Sequence, residues 1–339
     1  MNDKTIWSKF SLLLIISVVL ASCVKATPTP TQPPLTSTLP PTQQQATSAP
    51  TEPSAAPLVE INRTTYAHPE ILVEADWVVS HLNDKTVRII DAREALEGAL
   101  TLYQAGHIPG AVFVDTFSAL CCPSVIMGVD DFAQYMGKLG IGNDTTVVIY
   151  DTSGGIWAAR MWWALRYYGH DEVKILNGGL YAWLGAGQPL ETASPSVTPA
   201  VFHAEVQPQW IATMDEVKKA IDDPDVFIVD ALTRPNYIGD LQQYDRPGHI
   251  STAVSLPAPD TLDSVSQKVL PPADLSRMLT RLGIDPAKRV ITYCGGGYFG
   301  AQTAFVLYLM GFDKVGLYDG SLMQWARYPA TSNPMEVDK

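Results

Sequence analysis

The chain has 339 residues, 46% of them hydrophobic and 17% charged, enough apolar content for a substantial core and too much for a wholly disordered or coiled-coil chain. Its 23 Lys and Arg against 35 Asp and Glu leave a formal charge of −12, a surface that repels polyanions and argues against nucleic-acid binding. The four cysteines are too few for a disulfide-built scaffold.

At the N-terminus, Lys4 and Lys9 precede an apolar run over residues 10–20, which closes on Leu20-Ala21-Ser22-Cys23. A basic stretch, an apolar segment too short for a comfortable bilayer span and small residues at its end read as an export signal. The segment resembles a bacterial lipoprotein signal. That resemblance implies a signal peptide over residues 1–22, acylation of Cys23, and an extracytoplasmic protein that meets a bacterial membrane through its lipid anchor only; an uncleaved anchor helix is the alternative. Residues 23–68 follow as a tether rich in Pro, Thr, Ser and Gln, with nine prolines between Pro28 and Pro57. Such a composition buries too little apolar surface to offset its conformational entropy, which predicts a disordered spacer.

The remainder repeats itself. Ile89-Ile90-Asp91-Ala92, Gly106-His107-Ile108, Leu139-Gly140-Ile141 and Val148-Ile149-Tyr150-Asp151 are answered by Ile228-Val229-Asp230-Ala231, Gly248-His249-Ile250, Leu282-Gly283-Ile284 and Ile291-Thr292-Tyr293-Cys294. The offset runs from 139 (Ile89 to Ile228) to 143 (Val148 to Ile291), so the chain carries two homologous domains. Their predicted bounds are 69–192 and 208–332, joined by a Pro- and Ser-punctuated linker. Short runs apolar on both faces predict buried parallel strands over 87–90, 112–114, 147–150 and 173–176, then over 226–229, 290–293 and 315–318. Stretches 157–168 and 301–310 predict the helices that follow the richest turns. The fold class is α/β in duplicate, each copy a mainly parallel sheet flanked by helices.

The copies differ where the chemistry would sit. Where its most Gly-rich turn begins, copy one has Asp151 and copy two has Cys294, followed by Gly295, Gly296, Gly297, Tyr298, Phe299 and Gly300 and then the apolar helix predicted from Ala301. Successive glycines let backbone N–H groups turn towards the sulfur, and the helix adds partial positive charge. Both effects favour a nucleophilic thiolate, with a pKa expected to fall from about 8.5 towards about 3.5–7.5. A small apolar residue ending a buried strand is the plainer reading of Cys294. Asp151 cannot do thiol chemistry, so copy one is read as inactive, either structural or a contributor to the site's walls.

Together with Arg160-Met161-Trp162-Trp163, Gly178-Gly179-Leu180, Trp183, Asp319-Gly320-Ser321 and Trp325, these motifs resemble the tandem-domain rhodanese family of thiosulfate and 3-mercaptopyruvate sulfurtransferases. The resemblance implies a catalytic second domain that moves sulfane sulfur from a small sulfur-donor anion to a thiophile, a thiol or a thioredoxin-like protein, through a persulfide on Cys294, with no cofactor and no metal. A sulfur-carrier or ligand-binding module that keeps the loop without efficient turnover is the alternative. It further implies donor contacts from the loop residues 295–300. The family's donor-binding arginines fall on Leu232 and Asn236 here; Arg234 and Arg246 are the nearby cations, Arg246 the better candidate, with a solvated surface Arg as the alternative. Thiosulfate-type loops carry basic residues where Gly295 and Gly296 stand, and mercaptopyruvate-type loops carry Ser and Thr at the places of Gly296 and Phe299.

Other patterns point less far. Gly295, Gly297 and Gly300 fit the dinucleotide spacing G-x-G-x-x-G, but too little chain follows for a dinucleotide sheet. A Cys-based phosphatase needs an Arg where Gly300 stands. His107 and His249 occupy matching turns and are read as turn-stabilising, although His107 could reach the site across the domain interface. Cys121 and Cys122 are adjacent and fit a vicinal disulfide, two free thiols or a redox partner for Cys294. The aromatics of 157–168 read as core.

Overall fold

The computed structural model describes residues 59–93, 98–116 and 126–338. Cys23, the signal segment, Cys121, Cys122 and the tether up to residue 58 lie outside the described residues. The first copy runs β1 (Leu72–Val73), α1 (Ala75–His81), β2 (Val87–Asp91), α2 (Ala99–Ala105), β3 (Val112–Phe113), α3 (Val129–Lys138), β4 (Thr146–Tyr150), α4 (Ile156–Tyr167), β5 (Val173–Leu176) and α5 (Gly179–Gly185). The second runs α6 (Met214–Ala220), β6 (Val226–Asp230), α7 (Arg234–Tyr237), β7 (His249–Ile250), β8 (Val254–Ser255), α8 (Pro272–Leu282), β9 (Arg289–Tyr293), α9 (Tyr298–Leu309), β10 (Val315–Leu317), α10 (Ser321–Trp325) and β11 (Met335–Glu336).

Both sheets are parallel throughout, ordered β1-β5-β4-β2-β3 and β10-β9-β6-β8. The repeat reaches into details too short to be read from hydrophobic pattern. The place that β1 takes beside β5 is taken in copy two by a single parallel bridge of Ile211 to Leu317. The antiparallel β7–β11 pair is matched in copy one by the bridge His107 to Glu191. The central strands are buried on both faces, as their apolar runs require.

Helices α4 and α9 explain why the two copies behave as one body. Each is apolar around its circumference, with Ala158 to Leu165 and Gly300 to Leu307 all buried, so neither can present a face to solvent. One side of each covers its own sheet and the other packs on its counterpart: Trp162 meets Phe305 edge-on at 5.1 Å, Trp157 meets Tyr298 at 4.7 Å, and Arg166 donates to the Tyr308 hydroxyl at 2.9 Å. Of the aromatics of 157–168, Trp162, Trp163 and Tyr168 are core, each buried ring contributing about 1.5–3 kcal/mol, while Trp157 and Tyr167 are half-buried. At the interface's edge the Arg160 guanidinium donates to Asp319 Oδ1 at 2.6 Å, both groups buried.

One boundary needs correction. The predicted tether ends at residue 68, yet residues 59–68 lie ordered along copy two: Ile61 N and Arg63 N donate to Thr280 Oγ1 and Ser276 Oγ at 3.0 Å, Ala67 N donates to the Leu309 carbonyl at 2.9 Å, and His68 stacks on Tyr308. Ser276 and Thr280 are one turn apart on α8, so their hydroxyls face the strap together. Ile61 is buried, and Tyr66 reaches the Leu270 carbonyl; composition averaged over the whole tether hides these local anchors.

Candidate active site

Strand β9 delivers Cys294 to the carboxyl edge of the second sheet, and α9 begins four residues later. Gly297, with φ of +87°, forms the left-handed N-cap of that helix, a conformation costly for a residue with a Cβ. Its N–H therefore turns back and donates to Cys294 Sγ at 3.1 Å. The helix starts three residues before the predicted Ala301 because this turn already points along its axis. The loop is fastened from below: Cys294 N donates to Ser321 Oγ, while Leu322 N and Met323 N donate to the carbonyls of Cys294 and Gly295. At Gly295 the reason for glycine is close approach, since an added Cβ would lie 1.8 Å from the Tyr244 hydroxyl.

The first copy shows what such a turn is built to hold. Asp151, at the matching strand end, receives four backbone N–H groups, from Ser153 and Gly155 on one oxygen and Trp157 and Ala158 on the other, at 2.9–3.1 Å. The turn is an anion cradle filled by a built-in carboxylate, and in copy two the same turn faces a sulfur.

That cradle does not make Cys294 acidic here, which corrects the sequence-based expectation. The side chain is only 2% exposed. Burial pushes the thiol up, the N–H groups of Gly300, Gly296 and Gly297 pull against it, and the Asp230 carboxylate adds to the rise. Removing a thiolate from water outweighs the loop dipoles in this state.

Asp230 itself differs from its counterpart. In copy one Asp91 is bound by Arg93, whose Nε lies 2.9 and 3.0 Å from its two oxygens. In copy two Leu232 takes the place of Arg93. Among the described residues Asp230 accepts from the Leu232 N–H at 2.8 Å and the Tyr293 hydroxyl at 2.7 Å, and burial pushes it up to about 6.

A cavity of about 490 Å³ opens beside Cys294. Of the sequence-predicted residues, Cys294, Gly295, Gly296, Tyr298 and Phe299 line it; Gly297 and Gly300 are not among the lining residues but give their N–H groups to the sulfur. Arg246 is elsewhere, a second correction: its guanidinium donates to the carbonyls of Ala326, Trp325 and Asn333 at 2.8–3.3 Å, stapling the C-terminal segment. A long Arg preceding a turn is ambiguous between anion binding and carbonyl capping, and three carbonyls decide it. Arg234 is exposed near Asp338. His107 and His249 donate Nδ1 to the carbonyls of Tyr103 and Tyr237, in the helices that precede them, and stack on the same two rings, tying each turn to its preceding helix; His107 is not among the residues lining the cavity. Sequence reasoning missed Tyr244, and it missed Ser153, Ile156 and Trp157, which copy one contributes to the cavity wall.

A family model for the rhodanese-like domain matches residues 74–186 and again 213–328. The chain is 35% identical over 281 residues to the sulfur carrier protein TtuD of Thermus thermophilus, covering 77% of this chain and 95% of that protein. It is 33% identical over 273 residues to human 3-mercaptopyruvate sulfurtransferase, covering 75% and 91%. Among solved structures, the anaerobic ergothioneine biosynthesis enzyme of Chlorobium limicola, in complex with trimethyl histidine, superposes with a TM-score of 0.73 at 25% identity over 80% of this chain and 71% of that one. With a duplicated parallel-sheet fold, a matching model over each copy and relatives aligned almost end to end, this chain belongs to the rhodanese family.

Proposed function

We propose that this protein is a sulfurtransferase that carries sulfane sulfur on Cys294, taking it from a small donor of the kind named for its relatives, thiosulfate or 3-mercaptopyruvate, and passing it to a thiophilic acceptor. The observation that carries the reading is Cys294 lining a cavity with the Gly297 N–H on its Sγ at 3.1 Å, in a turn whose twin cradles a carboxylate. In the first half-reaction the thiolate attacks the donor's outer sulfur; a sulfur–sulfur bond forms and the bond to the rest of the donor breaks, its electron pair leaving on sulfite or pyruvate enolate. Loop N–H groups meet the negative charge on the attacking sulfur and then on the terminal sulfur of the persulfide. In the second, an acceptor thiolate, small or on a thioredoxin-like protein, takes the terminal sulfur and returns Cys294 as thiolate.

Incubating the protein with either donor should add the mass of one sulfur atom to the peptide bearing Cys294, and cyanide should then release thiocyanate. Cys294→Ala should do neither; equal turnover by both proteins would refute the assignment. A sulfur-carrier role, supported by the likeness to TtuD, predicts instead persulfide formation with turnover only in the presence of a protein acceptor. For location, the proposal is a lipid anchor on Cys23 at an extracytoplasmic membrane face. Cys23→Ser should move the protein from the membrane fraction to the soluble one and abolish its labelling by fatty acid.

A further inference from the structure

Resting on that reading, we infer that the cavity at Cys294 favours sulfur donors with an uncharged, apolar body bearing a hydrogen-bond donor, over oxyanion donors such as thiosulfate. Three independent features point the same way.

The first is charge. No Lys, Arg or His stands among the described residues that line the cavity. The surrounding cations are committed elsewhere: Arg246 to three carbonyls, Arg160 to Asp319, Arg234 beside Asp338 at the surface. Where copy one sets Arg93 against Asp91, the cavity wall has Leu232, and the Asp230 carboxylate behind it goes without an Arg. Burial raises both the Cys294 thiol and the Tyr244 phenol, and the Asp230 carboxylate adds to each rise. A dianion entering here would meet a negative charge and no guanidinium.

The second is polarity. Asn236 is buried and lines the cavity, donating its Nδ2 to Thr233 Oγ1 at 2.9 Å while its carboxamide oxygen has no hydrogen-bond partner among the described residues. A buried orphan acceptor is costly until a donor reaches it. It suits an O–H or N–H on the ligand and repels a carboxylate or sulfonate oxygen. The third is shape: Trp157, Tyr298 and Phe299 wall the cavity together with Leu232 and Met323, and about 490 Å³ is far more room than thiosulfate fills, with aromatic surface to cover an apolar body.

With a hydropersulfide R–S–S–H as donor the step balances without an oxidant. Cys294 thiolate attacks the outer sulfur, the Cys294 sulfur–sulfur bond forms, the donor's own sulfur–sulfur bond breaks, and the electron pair leaves on R–S⁻, which takes a proton from solvent.

The test compares kcat/KM for Cys294 persulfide formation from benzyl hydropersulfide, hydroxymethylbenzyl hydropersulfide, thiosulfate and 3-mercaptopyruvate. In the wild-type protein the hydroxymethylbenzyl donor should lead and thiosulfate trail. Asn236→Arg should raise kcat/KM for thiosulfate by about 10- to 100-fold, the worth of a charge-assisted hydrogen bond, and Leu241→Arg, at another residue lining the cavity and made separately in case the Asn236 substitution is not tolerated, should do the same. Asn236→Leu should erase the preference for the hydroxymethyl over the plain benzyl donor. Persulfide formation from thiosulfate as efficient as from the neutral donors, or an unchanged ranking in both Arg variants, overturns the inference and leaves the sulfurtransferase reading intact. No persulfide on Cys294 from any donor overturns that reading instead. Calorimetric binding of benzyl mercaptan against sulfite to Cys294→Ala then decides the cavity's preference without chemistry: tighter binding of sulfite refutes it.

Discussion

Replacing Leu232 by Arg should bring the Asp230 carboxyl back into the ordinary acid range, and the size of the effect follows from the comparison between the copies. Burial lifts Asp230 from the 3.8 of a free carboxyl to about 6, against the pull of the Leu232 N–H and the Tyr293 hydroxyl. Each pH unit of such displacement is worth about 1.4 kcal/mol, so the ionised carboxylate is destabilised by about 3 kcal/mol in the folded chain. Because the folded protein holds this proton more tightly than the unfolded chain does, stability from this group is greatest below about pH 4, declines as pH rises through about 6, and is flat above. An Arg placed as Arg93 is on Asp91 favours the ionised form and removes that decline. Titration of ¹³C-carboxyl-labelled aspartates, with Asp230→Asn to assign the resonance, should show the wild-type midpoint near 6 and the variant's at or below the free value. The difference in thermal midpoint between Leu232→Arg and wild type should move by several degrees in the variant's favour from acid to neutral pH, at about 2–4 °C per kcal/mol. A wild-type carboxyl titrating near the free value, or a midpoint difference independent of pH, would show that burial is not the cause argued here.

Cys294 should alkylate slowly at neutral pH, with the rate climbing through the range where a free thiol levels off, since burial raises its pKa; a plateau below pH about 7 would mean that the loop dipoles win after all. Asp151→Asn turns an NH2 towards two of the four backbone donors that now share the carboxylate, and should cost about 2–4 kcal/mol by chemical denaturation, while leaving Cys294 alkylation little changed. Arg160→Met leaves Asp319 buried and unpaired by a cation, and should cost about 3–5 kcal/mol; part of that should return in Arg160→Met with Asp319→Asn. Gly295→Ala forces a methyl onto the Tyr244 hydroxyl, and should lose about 1–3 kcal/mol, which Tyr244→Ala in the same chain should relieve.

The duplicated architecture was legible because its signals are local and repeated: apolar runs that suit strands buried on both faces, and Gly-rich turns at a nearly constant offset. The identity of the candidate nucleophile was legible for the same reason, as the one change of chemistry between aligned turns. The cavity walls were not. Tyr244 lies in an irregular stretch between α7 and β7 with no periodicity to place it, and Trp157 reaches the site only because α4 and α9 pack together, a relation that neither helix states alone. Arg246 misled because proximity in sequence to a turn says nothing about which carbonyls that turn leaves unpaired. The thiol misled more instructively: donors can be counted along a Gly-rich loop, but the desolvation that opposes them depends on how deeply the strand end sits.

That opposition bears on how one fold divides its labour. Both turns present backbone N–H groups to a buried group at a strand end, and in both burial raises the acid's pKa while the N–H groups lower it. In copy one the group is a carboxylate that uses all four donors, so the turn is saturated and serves to fix the start of α4, which then forms the interface and lends Ile156 and Trp157 to the neighbouring cavity. In copy two the N–H groups of Gly300, Gly296 and Gly297, the last at 3.1 Å from the sulfur, pull against burial without overcoming it, and the cavity opens beside the sulfur. A sulfur held short of full stabilisation has charge stabilisation still to gain as it ionises or lengthens into a persulfide, because the longer anion can reach donors that the thiol does not. The expected consequence is that the persulfide form is the more stable one: loading Cys294 with sulfur should raise the thermal midpoint and slow amide exchange of Gly295 to Gly300. Loading that lowers the midpoint or speeds that exchange would mean the loop is shaped for the resting thiol and not for the loaded sulfur.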